Sequence, residues 1–102
     1  MQMNYLTDHI NQIKQLCDKH NVKSLFAFGS ITTEAFTPQS DIDLLIDIDS
    51  SDPIDYTDNY FAVKFQLEKI LKRQIDLLEQ KSLRNPYLKK QINQTKVRVY
   101  GR

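Results

Sequence analysis

A pair of aspartates inside an apolar run constrains this chain more than any other feature. The segment "SDIDLLIDI", residues 40–48, has the composition of a buried strand, yet it carries Asp41 and Asp43. Aspartate is a poor strand former, and a buried carboxylate is costly without a positive partner. Residues two apart on a strand point to the same face, so both carboxylates project together. The pattern therefore predicts a site that needs paired carboxylates.

A third carboxylate, Asp76, stands inside the later apolar segment "QIDLLE". If that strand lies beside the first, Asp76 faces the same pocket as Asp41 and Asp43. Carboxylates this close repel one another, and a divalent cation removes the conflict. Mg²⁺ prefers hard oxygen ligands, and a site with two ions can align a nucleophile and a leaving group at phosphorus. We therefore expect these three acids to be the metal ligands.

A Gly-Ser pair precedes the first two acids and suggests the second half of the site. Gly29 and Ser30 directly follow the predicted strand "SLFAF". Glycine lets the backbone approach a ligand closely, and a helix starting at Ser30 would direct free N–H groups at an anion. The hydroxyls of Thr32 and Thr33 are expected to add donors. Either motif alone is more often an ordinary turn or strand end; together they predict a phosphate cradle beside a metal site, holding a nucleoside triphosphate.

The periodicity of the whole chain predicts alternating helices and strands, with a last short strand at the end. Such alternation indicates an α/β sheet with helices packed on it. The predicted segments are a helix over 5–20, a strand over 24–28, a short helix or turn over 30–35, a strand over 41–48, a helix over 55–73, a strand over 74–79, a helix starting at Pro86 behind an Asn85 cap, and a strand over 97–101.

Composition sets the broad class of protein. The 102 residues suit one domain spanning 1–102, and a net charge of +1 argues against a general nucleic-acid binder. Cys17 is the only cysteine, which excludes an internal disulfide and favours a reducing compartment. No signal sequence and no bilayer-length apolar run is present. We expect a cytoplasmic protein with no membrane contact and no direct nucleic-acid binding.

These motifs resemble a known family. "FGS", "SDIDLLI" and "IDLLE" are similar to the motifs of the minimal nucleotidyltransferases of the DNA polymerase beta superfamily, and the resemblance covers nearly the whole chain. It implies a single-domain α/β fold with a small mixed sheet flanked by helices. Chains this short typically resemble the MntA-like antitoxin half of a two-gene module. The partner in such modules is a HEPN-domain ribonuclease toxin of the HepT type.

The resemblance also implies an activity and a role for each residue. Gly29 and Ser30 would bind ATP, Asp41 and Asp43 would hold two Mg²⁺ ions, and Asp76 would help hold the ion that activates the attacking hydroxyl. The implied reaction is transfer of AMP from ATP to a tyrosine of the toxin, which blocks its RNA-cleaving site. A hetero-oligomer with the toxin is expected, and a homo-oligomer remains open.

One departure from the family pattern keeps alternatives open. Family members often carry a basic residue just after Gly-Ser, whereas this chain has "SITTEAF" there and no Lys or Arg between Lys23 and Lys64. Lys81, Lys89, Lys90 or the partner are the candidates to supply the missing charge. The first alternative function is a non-catalytic subunit that neutralises the toxin by binding. The second alternative is transfer of a nucleotide to a small molecule. It is less favoured, because the sequence offers no second domain to bind such a substrate.

A pair of aromatics on the longest helix suggests a contact surface. Phe61 and Phe65 lie opposite the apolar face of that helix by helical angle. Exposed aromatics often mark an interface, so this ridge is a candidate contact with the toxin or with a second copy; the alternative is that another segment covers it.

Overall fold

The computed structural model describes residues 3–102 and contains a four-stranded sheet with helices on both of its faces. The predicted order of elements and the α/β fold class are confirmed. The helices are α1 (Asn4–Thr7), α2 (Ile10–Lys19), α3 (Pro53–Leu71) and α4 (Pro86–Thr95), and the strands are β1 (Val22–Phe28), β2 (Ile42–Ile48), β3 (Ile75–Glu79) and β4 (Val97–Gly101). Single 3₁₀ turns follow β1 and β3.

The sheet is mixed, as the family resemblance implied. Its strand order is β3-β2-β1-β4, with β1 antiparallel to β2 and to β4, and β2 parallel to β3. A parallel pair needs a crossover, and α3 provides the one between β2 and β3. Because β2 is an inner strand, five of its seven residues are buried, which explains its nearly continuous apolar sequence.

The main core lies on one face of the sheet, under α2 and α3. The α2 side chains Ile13 and Cys17 are fully buried there, as are Val63 and Leu67 of α3. Burial raises the pKa of the Cys17 thiol to about 12, so this cysteine is an inert core side chain, as expected. The opposite face of the sheet is covered in part by α4, through the buried side chain of Ile92.

The first predicted helix is in fact two helices. The chain breaks between α1 and α2 at Asp8 and His9, and His9 has the non-helical dihedrals φ −118° and ψ 18°. Leu6 is buried, and the Tyr5 hydroxyl donates to the backbone carbonyl of Leu71 in α3. We attribute the break to this tie, since α1 packs onto the end of α3 while α2 follows the sheet.

Helix starts and ends follow local side-chain chemistry. Asp52 caps α3 by accepting from the backbone N–H of Ile54 at 2.9 Å, so the helix begins at Pro53, two residues earlier than predicted. Asn85 caps α4 in the same way, as the sequence indicated. Asn21 ends α2 in the left-handed conformation, with φ 57°, which confirms the predicted stop.

No helix within residues 3–102 combines the length and apolar character required to cross a lipid bilayer.

Candidate active site

The carboxylates meet at one edge of the sheet, where β1 ends and β2 and β3 begin. Phe28, the last residue of β1, pairs with Asp43 of β2, and Asp43 pairs in turn with Asp76 of β3. Asp41 lies one residue before β2 rather than inside it. This edge therefore gathers the turn after β1 and all three predicted acids, which stand far apart in sequence.

Asp43 is the central carboxylate of this group. It is partly buried, whereas Asp41 and Asp76 are exposed. Its pKa is raised to about 6 by burial, then by the charge of Asp76, by the charge of Asp41 and by a side-chain hydrogen bond with Asp76. Asp76 therefore lies close to Asp43, its partner in the strand register, rather than being turned away from it.

The three carboxylates are close but are not preassembled around a single point. Within residues 3–102, no group of three or more His, Cys, Asp or Glu side chains already has the arrangement of a metal site. The donor set nevertheless fits Mg²⁺, because hard carboxylate oxygens with a mutual repulsion are the ligands that a divalent cation relieves. Asp41, Asp43 and Asp76 are thus the residues that could hold the ion.

Gly29 brings the backbone against the central acid. Its φ of +74° is left-handed, a conformation that other residues rarely adopt. A Cβ atom built at Gly29 would also collide with the Asp43 carboxylate. The turn after β1 therefore lies in direct contact with the acidic group, and glycine is required there for two separate reasons.

The turn itself differs from the predicted phosphate cradle. Gly29–Thr32 forms a single 3₁₀ turn, too short to provide a helix dipole. The hydroxyls of Thr32 and Thr33 donate to the carbonyls of Gly29 and Ser30 at 2.8 and 2.9 Å, so they hold the turn together. The expectation that both would donate to a phosphate is wrong, which leaves the Ser30 hydroxyl and the backbone amides of the turn.

A cleft of about 370 Å³ opens beside the Gly-Ser turn. One wall is the turn, and the other is α4, through Gln91, Gln94 and Thr95, which sequence reasoning did not identify. No lysine or arginine of residues 3–102 lines this cleft. Of the candidate cations, Lys81 and Lys89 line a different groove, on the far side of α4.

Arg73 holds the loop that leads into Asp41. Its guanidinium donates to the carbonyl of Thr37 at 2.8 Å and to the carbonyl of Ser40. It also lies over the rings of Tyr5 and Phe36, 5.3 and 4.6 Å from their centroids. Ser40 is next to Asp41 in the chain, so this arginine helps to fix where the first carboxylate emerges.

Comparison with known proteins identifies the family. The Nucleotidyltransferase domain family matches residues 10–99. The chain is 37% identical over 86 residues to the "Putative protein adenylyltransferase MJ1379" of Methanocaldococcus jannaschii, covering 84% of this chain and 85% of that protein. The chain therefore belongs to the nucleotidyltransferase family, as its motifs indicated.

Solved structures agree on the fold. A structure described as a "putative minimal nucleotidyltransferase" superposes with a TM-score of 0.77 at 23% identity and covers 95% of both chains. A second similar structure is an MNT antitoxin in complex with the tri-AMPylated HEPN toxin of Shewanella oneidensis. It has a TM-score of 0.62 and 21% identity, and covers 100% of this chain and 74% of the other. The fold is that of a minimal nucleotidyltransferase.

Proposed function

We propose that this protein transfers AMP from ATP, with Mg²⁺, to a tyrosine of a HEPN-domain partner in the cytoplasm, and so acts as an antitoxin. The observation that carries the proposal is the position of Asp43, which touches the Gly29 turn on one side and interacts with Asp41 and Asp76 on the other. A nucleotide bound by the turn would place its phosphates beside these acids.

Each residue of the candidate site has a separate role in the proposed reaction. The Gly29 and Ser30 amides and the Ser30 hydroxyl would bind phosphate oxygens, Asp41 and Asp43 would hold the two Mg²⁺ ions, and Asp76 would help to hold the ion that activates the attacking hydroxyl. When bound, Mg²⁺ neutralises the phosphates and lowers the pKa of the attacking hydroxyl. The tyrosine oxygen forms a bond to the α-phosphorus as the bond to the β-phosphate bridging oxygen breaks. Pyrophosphate leaves, and the phenol proton would pass to the Asp76 carboxylate.

The relatives support the proposed HEPN partner, and the tyrosine acceptor is what the family resemblance implies. Similar proteins include an MNT antitoxin bound to an AMPylated HEPN toxin and a protein described as an adenylyltransferase. Asp76 is exposed on the outermost strand of the sheet, so a protein side chain can approach it from solvent. A protein acceptor fits this open edge, because it can present the attacking hydroxyl without a pocket of its own.

A second candidate function is neutralisation of the toxin by binding alone. The neutral lining of the cleft beside Gly29 and Ser30 favours it, because a triphosphate is usually held by lysine or arginine as well as by metal. The retained group of Asp41, Asp43 and Asp76 favours catalysis.

Labelled ATP distinguishes the two functions. The protein is incubated with Mg²⁺, ATP carrying an α-phosphate label and the HEPN protein encoded beside it. Catalysis predicts label on the HEPN protein, lost by at least about 100-fold in Asp41→Asn and Asp43→Asn. Asp8→Asn, an exposed aspartate between α1 and α2 and away from the aromatic ridge, is the matched control and keeps the label. Inhibition of the HEPN ribonuclease without any label would establish the binding subunit instead.

The aromatic ridge of α3 is the proposed contact with this partner. Phe61 and Phe65 are 45% and 57% exposed and their rings stack at 5.8 Å, so the predicted exposure is confirmed. Phe61 also packs edge-on against Tyr60, whose hydroxyl donates to the carbonyl of Leu77. Because Leu77 follows Asp76, the ridge adjoins the strand that presents the third acid.

Removing both rings tests this contact. Phe61→Ala combined with Phe65→Ala is expected to weaken co-purification with the HEPN protein by roughly 10-fold or more, because exposed aromatics are frequent hot spots. The melting temperature of the isolated chain stays nearly unchanged. Unchanged co-purification would refute the assignment, and loss of self-association alone would assign the ridge to a second copy.

A further inference from the structure

We propose that the sheet face beside α4 carries a binding groove for single-stranded nucleic acid, separate from the nucleotide cleft. Two adjoining grooves run along this face, of about 270 and 340 Å³, and they share Asp47 and Gln80 in their linings. The shared residues show that the two grooves are neighbours on this face. Six cations line them: Lys23, Lys81, Lys89, Lys96, Arg98 and Arg102.

The residues that line these grooves are much more positively charged than the chain as a whole. The grooves hold six of the 14 cations of the chain but only one of its 13 acids, Asp47. Net charge averages this face with the acidic edge, which is why a value of +1 suggested no nucleic-acid binding. A concentrated basic stripe is the electrostatic footprint that binds phosphates.

Five of these six cations have no carboxylate partner among residues 3–102, although Lys81 donates to the carbonyl of Ser50 and Lys96 to Asn93 Oδ1. Arg102 forms an ion pair with Asp49 at 3.2 Å, with both side chains largely exposed. Among residues 3–102, Lys23, Lys89 and Arg98 form no ion pair with a carboxylate. The groove is therefore not neutralised by the protein itself.

An aromatic ring lies among the cations. Phe26 of β1 lines the second groove, and the Lys96 ammonium lies 4.4 Å from the centroid of its ring. Bases stack on such rings while neighbouring cations follow the phosphates, and this combination binds single strands with little sequence preference. Asn93 and Gln80 add polar groups along the same path.

The lining favours nucleic acid over an acidic protein. Four of the six cations are lysines, and lysine is depleted from protein–protein interface cores, where aromatic residues and arginine are enriched. Lysines spaced along an open groove instead match a flexible chain of phosphates. The inference does not depend on nucleotidyl transfer, since none of the residues involved belongs to the acidic edge or to the Gly-Ser cleft.

Fluorescence anisotropy with a labelled oligouridine of roughly 20 nucleotides tests the groove, since a single oligonucleotide-binding fold covers about 4–16 nucleotides. The wild-type chain is expected to bind with a log–log salt slope of roughly −3 to −4, as four to six neutralised phosphates require. Lys96→Glu with Arg98→Glu should weaken binding at least about 10-fold. Lys64→Glu with Lys69→Glu, an equal charge change on α3, should leave it within about 2-fold.

A second variant separates stacking from charge. Phe26→Leu is expected to weaken binding by roughly 5- to 100-fold with little change in the salt slope, because it removes a stacking surface and no charge. Thermal unfolding of each variant checks that the fold is kept. Equal weakening by both double charge reversals, or no binding at low salt, would overturn the proposal. So would displacement of the RNA by polyglutamate at an equal charge concentration, which would assign the groove to an acidic protein.

Discussion

The two sides of the candidate active site are built in opposite ways. On the sheet side, burial of Asp43 and the nearby charges of Asp76 and Asp41 raise the pKa of Asp43 to about 6. On the cleft side, Ser30 and the α4 side chains are neutral, and no lysine or arginine of residues 3–102 lines the space. We therefore expect the acidic side to supply most of the binding energy for the proposed metal-bound nucleotide, and the cleft side to contribute shape and hydrogen bonds.

Gly29 joins the two sides, so changing it is expected to have the largest effect. Gly29→Ala forces a Cβ atom onto the Asp43 carboxylate and places alanine at φ +74°. We expect adenylyl transfer to fall by at least about 100-fold, since displaced catalytic groups lose this much. Unfolding free energy should fall by about 1–2 kcal/mol because of the left-handed backbone. Label transfer and urea unfolding measure the two effects.

The matched control for this change is Gly101→Ala, a glycine that lies away from the acidic edge. An added Cβ there meets only the movable end of the Arg98 side chain. Its label transfer should stay near the wild-type rate. Full transfer by Gly29→Ala would show that the turn and the acids do not form one site.

Adding a positive charge to the neutral cleft tests the same contrast from the other side of the site. Thr95→Arg places a guanidinium on the α4 wall of the cleft, where it can pair with phosphate oxygens. We expect the KM for ATP to fall by roughly 5- to 10-fold, as one new charge-assisted hydrogen bond would provide. The kcat should change less, since the acids remain in place. Steady-state kinetics over a range of ATP concentrations measures both constants.

Ser30→Ala is the converse change and should raise the KM for ATP by roughly 3- to 10-fold, the loss of one hydrogen bond. If neither substitution altered the KM, the nucleotide would lie outside this cleft.

Removing the central charge should stabilise the chain when no metal is bound. The raised pKa of Asp43 means that the folded state holds its proton up to about pH 6. The wild type therefore loses stability as pH rises from about 4 to 6, between the unfolded and folded pKa values, and stays at the lower level above that.

Asp43→Asn removes this penalty, because an amide carries no charge and can still donate to Asp76. In EDTA at pH 7, it should be more stable than the wild type by about 1 to 2 kcal/mol, with solvent screening of a half-exposed group taken into account. The advantage should shrink as the pH falls towards 4. Urea unfolding of both proteins across this range measures the advantage. An advantage that is the same at pH 7 and at pH 4 would mean that the fold does not raise the pKa of Asp43.

Local sequence signals predicted the elements, and they singled out three acids that the fold brings to one edge of the sheet, for physical reasons. Asp41 and Asp43 stand out because charged residues are rare in a buried strand unless they serve a site. Asn85-Pro86 predicts a helix start because the Asn85 side chain accepts hydrogen bonds from the first turn of the helix. The same reasoning would have found the start of α3, since Asp52-Pro53 carries the same signal. These features depend only on neighbours in the chain.

Features formed by packing between distant segments could not be predicted. Gln91 and Gln94 line the cleft only because α4 lies across the turn at Gly29. Nothing in the residue types of α4 predicts that contact. The break at His9 depends on Tyr5 reaching the end of α3. The basic groove is visible in sequence only in part: five of its six cations come from the basic stretch 81–102, which reads more simply as a solvated face, and the fold adds Lys23 and the ring of Phe26.

The most direct test of the shared site uses Mn²⁺ in place of Mg²⁺. With ATP present, paramagnetic Mn²⁺ broadens the amide NMR signals of nearby residues, and the spectra report each residue separately. Our account predicts that the signals of Gly29, Asp43 and Asp76 broaden together at low Mn²⁺, and that Asp43→Asn abolishes the effect on the other two. Broadening of the acids while Gly29 stays sharp, or of Asp41 and Asp43 while Asp76 stays sharp, would contradict it.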